Sequence, residues 1–294
     1  MIPLTITDVR AVPGDSAFLI DDGETAVLYD TGFGFTGYSV ADNIQRILGD
    51  RPLDYILLTH SHYDHALGSA YIQKQYPNVQ VVAGNYAQSI FRKPTARAVM
   101  RDLDRKAAAS HGITAYEDLI DELQVDLPVW DGDVINCGRM RFEAVELPGH
   151  TKCSVGYYLA ENQLLLATET LGVYCGEGTF LPSFLVGCQM SLDSIQKAAK
   201  LKLQQMLFPH YGIISGQELR DCLAQGEECV RQVCRLILEL LTSGKTTDEI
   251  LQHLTQLFYT DRVKPIYPYD AYRMNTEIMI NLVRKELFSV HSQP

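Results

Sequence analysis

Three histidines and an aspartate stand within six positions, at His60-Ser61-His62-Tyr63-Asp64-His65. Imidazole nitrogens and carboxylate oxygens in such density suit zinc, iron or manganese. Alternate residues of an extended segment point the same way, so His60 and His62 can address one ion together. Asp64 and His65 follow as the chain turns and can face a second ion. A metal pair of this kind depresses the pKa of a shared water toward neutrality. The resulting hydroxide is a nucleophile, which removes any need for a catalytic serine or cysteine. Asp64 is the group expected to orient it.

Rigid elements have to hold that cluster. Tyr55-Ile56-Leu57-Leu58-Thr59 is short, apolar and strand-like, and it places the histidines where a strand ends and a loop begins. Further strands are expected near 4–11, 16–21, 25–30, 79–82, 133–136, 139–147, 154–160 and 163–167. Helices are expected near 38–49 and from His65 to Tyr76. Strands in runs interleaved with helices, rather than strict alternation, point to two sheets packed face to face with helices outside.

The pattern H-x-H-x-D-H resembles the signature of the metallo-β-lactamase-fold hydrolases, and the resemblance extends over roughly residues 5 to 215. Pro148-Gly149-His150-Thr151 is similar to that family's P-G-H-T segment. Phe208-Pro209-His210-Tyr211-Gly212 is similar to its last motif, and Leu28-Tyr29-Asp30-Thr31-Gly32 to its early Asp-x-Gly strand end. The resemblance implies an αββα sandwich of two mixed sheets flanked by helices. It implies that His150 joins His60 and His62 at one metal and that His210 joins Asp64 and His65 at the other. It makes Asp30 a residue that braces the histidine loop by hydrogen bonding instead of ligating. One position departs from the family pattern. Glu169, in Thr168-Glu169-Thr170, stands where an aspartate usually bridges the two metals. With one more methylene it could still bridge, bind a single ion, or weaken the second site.

Net charge of −11 over 294 residues argues against nucleic acid or an anionic membrane as partner. No run approaches the ~20 apolar residues that span a bilayer. The start, Met1-Ile2-Pro3-Leu4-Thr5, lacks the basic and apolar regions of a signal peptide. Seven cysteines without a C-x-x-C pair are expected to be reduced thiols of a cytoplasmic protein.

Two segments are additions to a catalytic domain of residues 1–215. The first, about 85–127, is helical and carries Arg97, Arg101 and Arg105 at i, i+4 spacing. That basic face could grip an anionic substrate, or it could simply be solvated. The second, 216–294, is a helical extension with a broad apolar stripe and a capping box at Thr246-Thr247-Asp248-Glu249. It is expected to pack on the core, closing the substrate pocket or forming a homodimer interface. Tyr63, Tyr174 and Tyr211 lie near ligands in sequence and could donate a proton or polarise the substrate; packing is the alternative for each. The expected activity is dinuclear, metal-dependent hydrolysis of a small ester, thioester or lactone. The alternative is a metal-containing sensing or regulatory protein, with Glu169 marking drift from catalysis.

Overall fold

A computed structural model describes residues 1–288. Its first half builds one six-stranded mixed sheet. β1 (Thr5–Asp8), β2 (Phe18–Asp21) and β3 (Ala26–Tyr29) form an antiparallel meander. β4 (Tyr55–Leu58), β5 (Gln80–Gly84) and β6 (Leu127–Val129) then add in parallel to β3. The second mixed sheet runs β14 (Gly212–Ser215), β13 (Gln205–Phe208), β10 (Leu164–Leu166), β9 (Val155–Leu159), β8 (Met140–Glu146), β7 (Val134–Cys137). A small hairpin, β11 (Val173–Tyr174) with β12 (Phe180–Leu181), lies between β10 and β13 in the chain.

Burial explains the two kinds of strand. The parallel β3, β4 and β5 are nearly continuous apolar runs because a helical layer covers one face and the second sheet covers the other. At the outer edge, β7 and β8 alternate buried and exposed residues, as strands with one wet face do. Between the sheets, Tyr29, Leu57 and Val82 meet Phe142, Tyr157 and Leu166. Buried tyrosines also tie the sheets together: Tyr29 donates to the Ala167 carbonyl at 2.7 Å and Tyr157 to the Leu58 carbonyl at 2.8 Å.

The helical layers follow from apolar stripes. α1 (Gly37–Leu48), α2 (Tyr63–Ala66) and α3 (Gly68–Gln75) cover the first sheet, with Val40, Ile44 and Ile72 packed on Leu28 and Ile56. The helix expected from His65 onward thus starts two residues earlier and is interrupted at Leu67. There the chain presses on the metal-site strands: a Cβ at Gly68 would lie 2.1 Å from the Thr31 carbonyl oxygen, so only glycine fits. α4 (Asn85–Phe91) and α5 (Pro94–Ser110) form the inserted segment. α6 (Cys188–Ala198) and α7 (Gly216–Thr242) cover the second sheet. α8 (Thr247–Phe258) opens with the expected capping box, Thr246 accepting from the Glu249 amide and Glu249 from the Thr246 amide. α9 (Tyr269–Val283) closes the fold, ending in a π turn over 284–288. Among the described residues no helix is long and apolar enough to cross a membrane.

The cysteines differ from the expectation of seven free thiols. Cys188, at the start of α6, and Cys234, on α7, form a disulfide across 46 residues of sequence. No local spacing announces it, because the pair meets only when α6 packs against α7. Closing a loop of that length is worth on the order of 2–4 kcal/mol through the unfolded state. Denatured, unreduced protein should therefore show five titratable thiols, and seven after reduction. Cys188→Ala should lower the melting temperature; seven thiols before reduction would refute the bridge.

Asp104 anchors α5 to the core. It is buried and accepts from the Gly34 amide at 2.9 Å and the Tyr116 hydroxyl at 2.5 Å. Burial outweighs these hydrogen bonds and raises its carboxyl to about 6. A carboxyl whose folded pKa exceeds its unfolded one favours folding fully at low pH, and this contribution is lost as pH rises through about 6. Wild-type stability should fall by on the order of 2–3 kcal/mol more than that of Asp104→Asn between pH 4 and 7, measured by urea unfolding. Parallel profiles for the two proteins would contradict this assignment.

Candidate metal centre

The site forms where parallel strands of both sheets end. Asp30 follows β3 and His60 follows β4, so the two leave the first sheet side by side. Glu169 and His210 leave the second sheet in the same way, beyond the parallel pair β10 and β13. β8 points the same way as β10, since each is antiparallel to β9, and the loop after it carries His150. Ligands more than 100 residues apart in the chain thus meet along one edge of the sandwich.

They meet as two groups. His60, His62, His150 and Glu169 form one, and Asp64, His65 and His210 the other, with one ligand atom from each residue lying within 4.8 Å of the others in its group. Nearly every imidazole is held from behind through Nδ1. His60 contacts Thr59 Oγ1 at 2.9 Å, His65 contacts Asp30 at 2.8 Å, His150 the Ser183 carbonyl at 2.9 Å, and His210 the Asp15 carbonyl at 3.1 Å. These partners fix the tautomer and present Nε2 inward. His62 is the exception, turning Nδ1 to within 2.9 Å of His150 Nε2. Two of the positions, Asp30 and His210, have left-handed backbone, φ 54° and 63°, which non-glycine residues seldom adopt.

Asp30 behaves as a brace. Its carboxylate accepts from Ser16 Oγ, from the amide and hydroxyl of Thr59, and from His65, all at 2.8–3.0 Å. Gly149 lets the His150 loop approach α6: its φ is 145° and a Cβ there would sit 2.2 Å from Ser191 Oγ.

Glu169 is enclosed by imidazoles. Its Oε2 lies 2.8 Å from His150 Nε2 and 3.9 Å from His60 Nε2. Its Oε1 lies 3.2 Å from His210 Nε2 and 3.9 Å from His65 Nε2. One oxygen therefore addresses each group. Burial would raise this carboxyl, but His150, His210 and His65 together hold it well below the usual carboxylate range.

The donor atoms fit metal ions. His60 Nε2 and Glu169 Oε1 are buried without a hydrogen-bond partner, an expensive state for isolated polar atoms. Nε2 atoms of His65 and His210 lie 3.1 Å apart, both turned into the site. Burial, and then the neighbouring imidazoles, push His60 and His62 well below the usual histidine range, so both lone pairs are free. Against burial, Asp64 and Asp30 raise His65 to about 9, their carboxylates favouring positive charge on the ring.

Other expected site residues fall elsewhere. Arg97 donates to the carbonyls of Phe91 and Leu123, at 2.6 and 3.1 Å. Arg101 pairs with Asp118 and Asp121 at 2.6 and 2.9 Å. This basic face is spent on the inserted segment itself and does not border the site. Tyr174 donates to Glu218 and packs among Phe180, Phe208 and Tyr211, while Tyr211 sits beside it against Gly176. Both tyrosines are packing groups. Of the three, only Tyr63 borders the cavity next to His62 and Asp64. Three nearby residues escape motif reading: Asp15 and Ser183, which hold histidines through carbonyls, and Tyr267, which enters the cavity wall from the far end of the chain. The break Pro265-Ile266-Tyr267-Pro268 is the signal of the last.

The chain belongs to the metallo-beta-lactamase superfamily, whose family profile matches residues 12–216. A metallo-beta-lactamase family protein from Thermus thermophilus shares the fold, with TM-score 0.65 and 21% identity over 97% of this chain and 93% of that one. Among curated proteins, a hydroxyacylglutathione hydrolase of Bradyrhizobium sp. (strain ORS 278) is 31% identical over 129 residues, 42% of this chain and 38% of its own length. Another hydroxyacylglutathione hydrolase, from Stenotrophomonas maltophilia (strain R551-3), is 29% identical over 180 residues, 60% of this chain and 54% of its own. The match thus spans about half, or less, of these relatives.

Asp30→Asn keeps the shape of the brace but gives His65 an ambiguous partner. It should weaken metal affinity by about 10–100-fold in chelator competition while the circular dichroism spectrum stays unchanged. Unaltered affinity would remove Asp30 from the site.

Proposed function

We propose that the protein is a hydrolase with two divalent transition metal ions, zinc, iron or manganese, acting on a small ester, thioester or lactone. The observation that carries this reading is Glu169, whose two oxygens turn one to each histidine group. In this reading His60, His62 and His150 would hold one ion and Asp64, His65 and His210 the other, with Glu169 placed to contribute to either. Ions bound there would lower the pKa of a water molecule and polarise a substrate carbonyl.

The chain's own groups supply the rest. The Nδ1 hydrogen bonds keep four of the five imidazoles aimed, so no reorganisation is needed when substrate arrives. Asp64 lies at the cavity edge, with Oδ2 3.7 Å from His65 Nε2 and 3.8 Å from His210 Nε2. From there it can take the proton of the attacking water and return it to the leaving oxygen or sulfur. Burial raises the Tyr63 hydroxyl above its ordinary value, so it stays protonated and can donate a hydrogen bond to the substrate. The two-sided placement of Glu169 supports this reading over the sensing alternative.

Elemental analysis of chelator-free protein should find two metal equivalents per chain. Glu169→Ala should lose at least one, whereas Glu169→Asp should keep both. His60→Ala and His65→Ala should reduce turnover of acyl thioesters to the uncatalysed rate. Wild-type turnover no greater than that of these variants would reject the hydrolase reading.

A further inference from the structure

A cavity of about 260 Å³ opens beside His62 and Asp64, and its walls come from the two additions to the sandwich. One wall is α5, through Val99, Met100 and Leu103. The other is the approach to α9 and α9 itself, through Ile266, Ala271, Met274 and Ile278. Among the described residues no lysine or arginine lines it. The nearby arginines of α5, Arg97 and Arg101, are committed to carbonyls and carboxylates of their own segment. Deep in the cavity the one polar amide, Asn275, already donates to the Tyr267 hydroxyl at 2.5 Å. Away from His62 and Asp64, an anionic group held between α5 and α9 would find no cationic side chain and would bear the full cost of desolvation.

The rim is apolar as well. Val99 is 59% exposed, Met274 39% and Ile278 36%, on facing helices that both border the cavity. Exposed apolar side chains grouped around one opening mark a surface that receives an apolar group.

We infer that the acyl half of the substrate is an uncharged aliphatic chain of several carbons, received between α5 and α9. The inference rests on the hydrolase reading and narrows it. The polar or charged half, such as a thiol carrier, stays outside the cavity. Arg97 and Arg101, engaged within their own segment, then take no part in holding the acyl half. The cavity meets His62 and Asp64 at one end, so the carbonyl of an inserted chain stops at the metal centre while its tail runs toward Ala271.

Acyl thioesters of N-acetylcysteamine, from acetyl to octanoyl, share one leaving group and vary only the chain. Each methylene buried should raise kcat/KM about three- to fourfold until the cavity is filled. Binding is read separately by titrating the protein as isolated with octanamide and acetamide, a readout that does not depend on turnover. Octanamide should bind and acetamide should not. Ala271→Trp, which fills the cavity, should weaken octanamide at least tenfold and flatten the chain-length series. Met274→Lys places a charge on the exposed rim and should act in the same direction without disturbing the core. A flat series in an active enzyme, or equal binding of the two amides, overturns the inference. A wild type that hydrolyses no thioester yet binds octanamide in an Ala271-dependent way rejects the hydrolase reading alone and supports the apolar cavity.

Discussion

Five imidazoles and two carboxylates turn their lone pairs into one small buried volume, and the fold is arranged to make that tolerable. Left to themselves such groups would rotate away, protonate or take up water. Each inward-facing histidine except His62 is instead gripped at its outer nitrogen, by Thr59, Asp30, Ser183 or Asp15. Asp30 is the centre of this arrangement, since it binds the strand carrying His60 and the side chain of His65 together. Its left-handed backbone costs on the order of 1–3 kcal/mol, and four hydrogen bonds to one carboxylate offset it.

The sandwich answers the same demand at larger scale. Parallel strands deliver their following residues to one edge, and each sheet contributes such a pair: β3 with β4, β10 with β13. The sheets must then keep their relative position closely, because ligands from both have to converge. Tyr29 and Tyr157 do this directly, since each carries a hydroxyl across the core to a carbonyl at the end of an opposing metal-site strand. The site is therefore tied to the core packing and does not depend on loop conformation alone.

What could be read in the chain beforehand divides along the same line. His60, His62, Asp64 and His65 are legible because period-two geometry acts over six residues. Strands such as Tyr55–Leu58 are legible because burial on both faces requires unbroken apolar runs. His150 and His210 could be placed only through resemblance, since nothing local says which strand ends share an edge. Nearness in sequence misled at Tyr174 and Tyr211: a residue a few positions from a ligand points wherever the strand pleat sends it. Arg97 and Arg101 have the helical spacing of a binding face, but their partners Asp118 and Asp121 lie in a return segment with no periodic signal. Tyr267 and the Cys188–Cys234 bridge depend wholly on how the C-terminal helices dock, which composition does not encode.

The contrast between site and cavity has a consequence for the metal centre itself. On one side lie ionised Glu169 and the carboxylates of Asp30 and Asp64; on the other, two helices offer only hydrocarbon and one engaged amide. Apolar walls lower the local dielectric, so charges beside them interact more strongly than they would in water. An aliphatic chain that fills the space between α5 and α9 removes the remaining water from that side, and strengthens the pull of the carboxylates on positive charge just where the carbonyl comes to rest. The additions then do more than select a substrate. On the inferred substrate, a chain that fills the cavity would couple its own recognition to the electrostatics of the centre, because the same two helices border both.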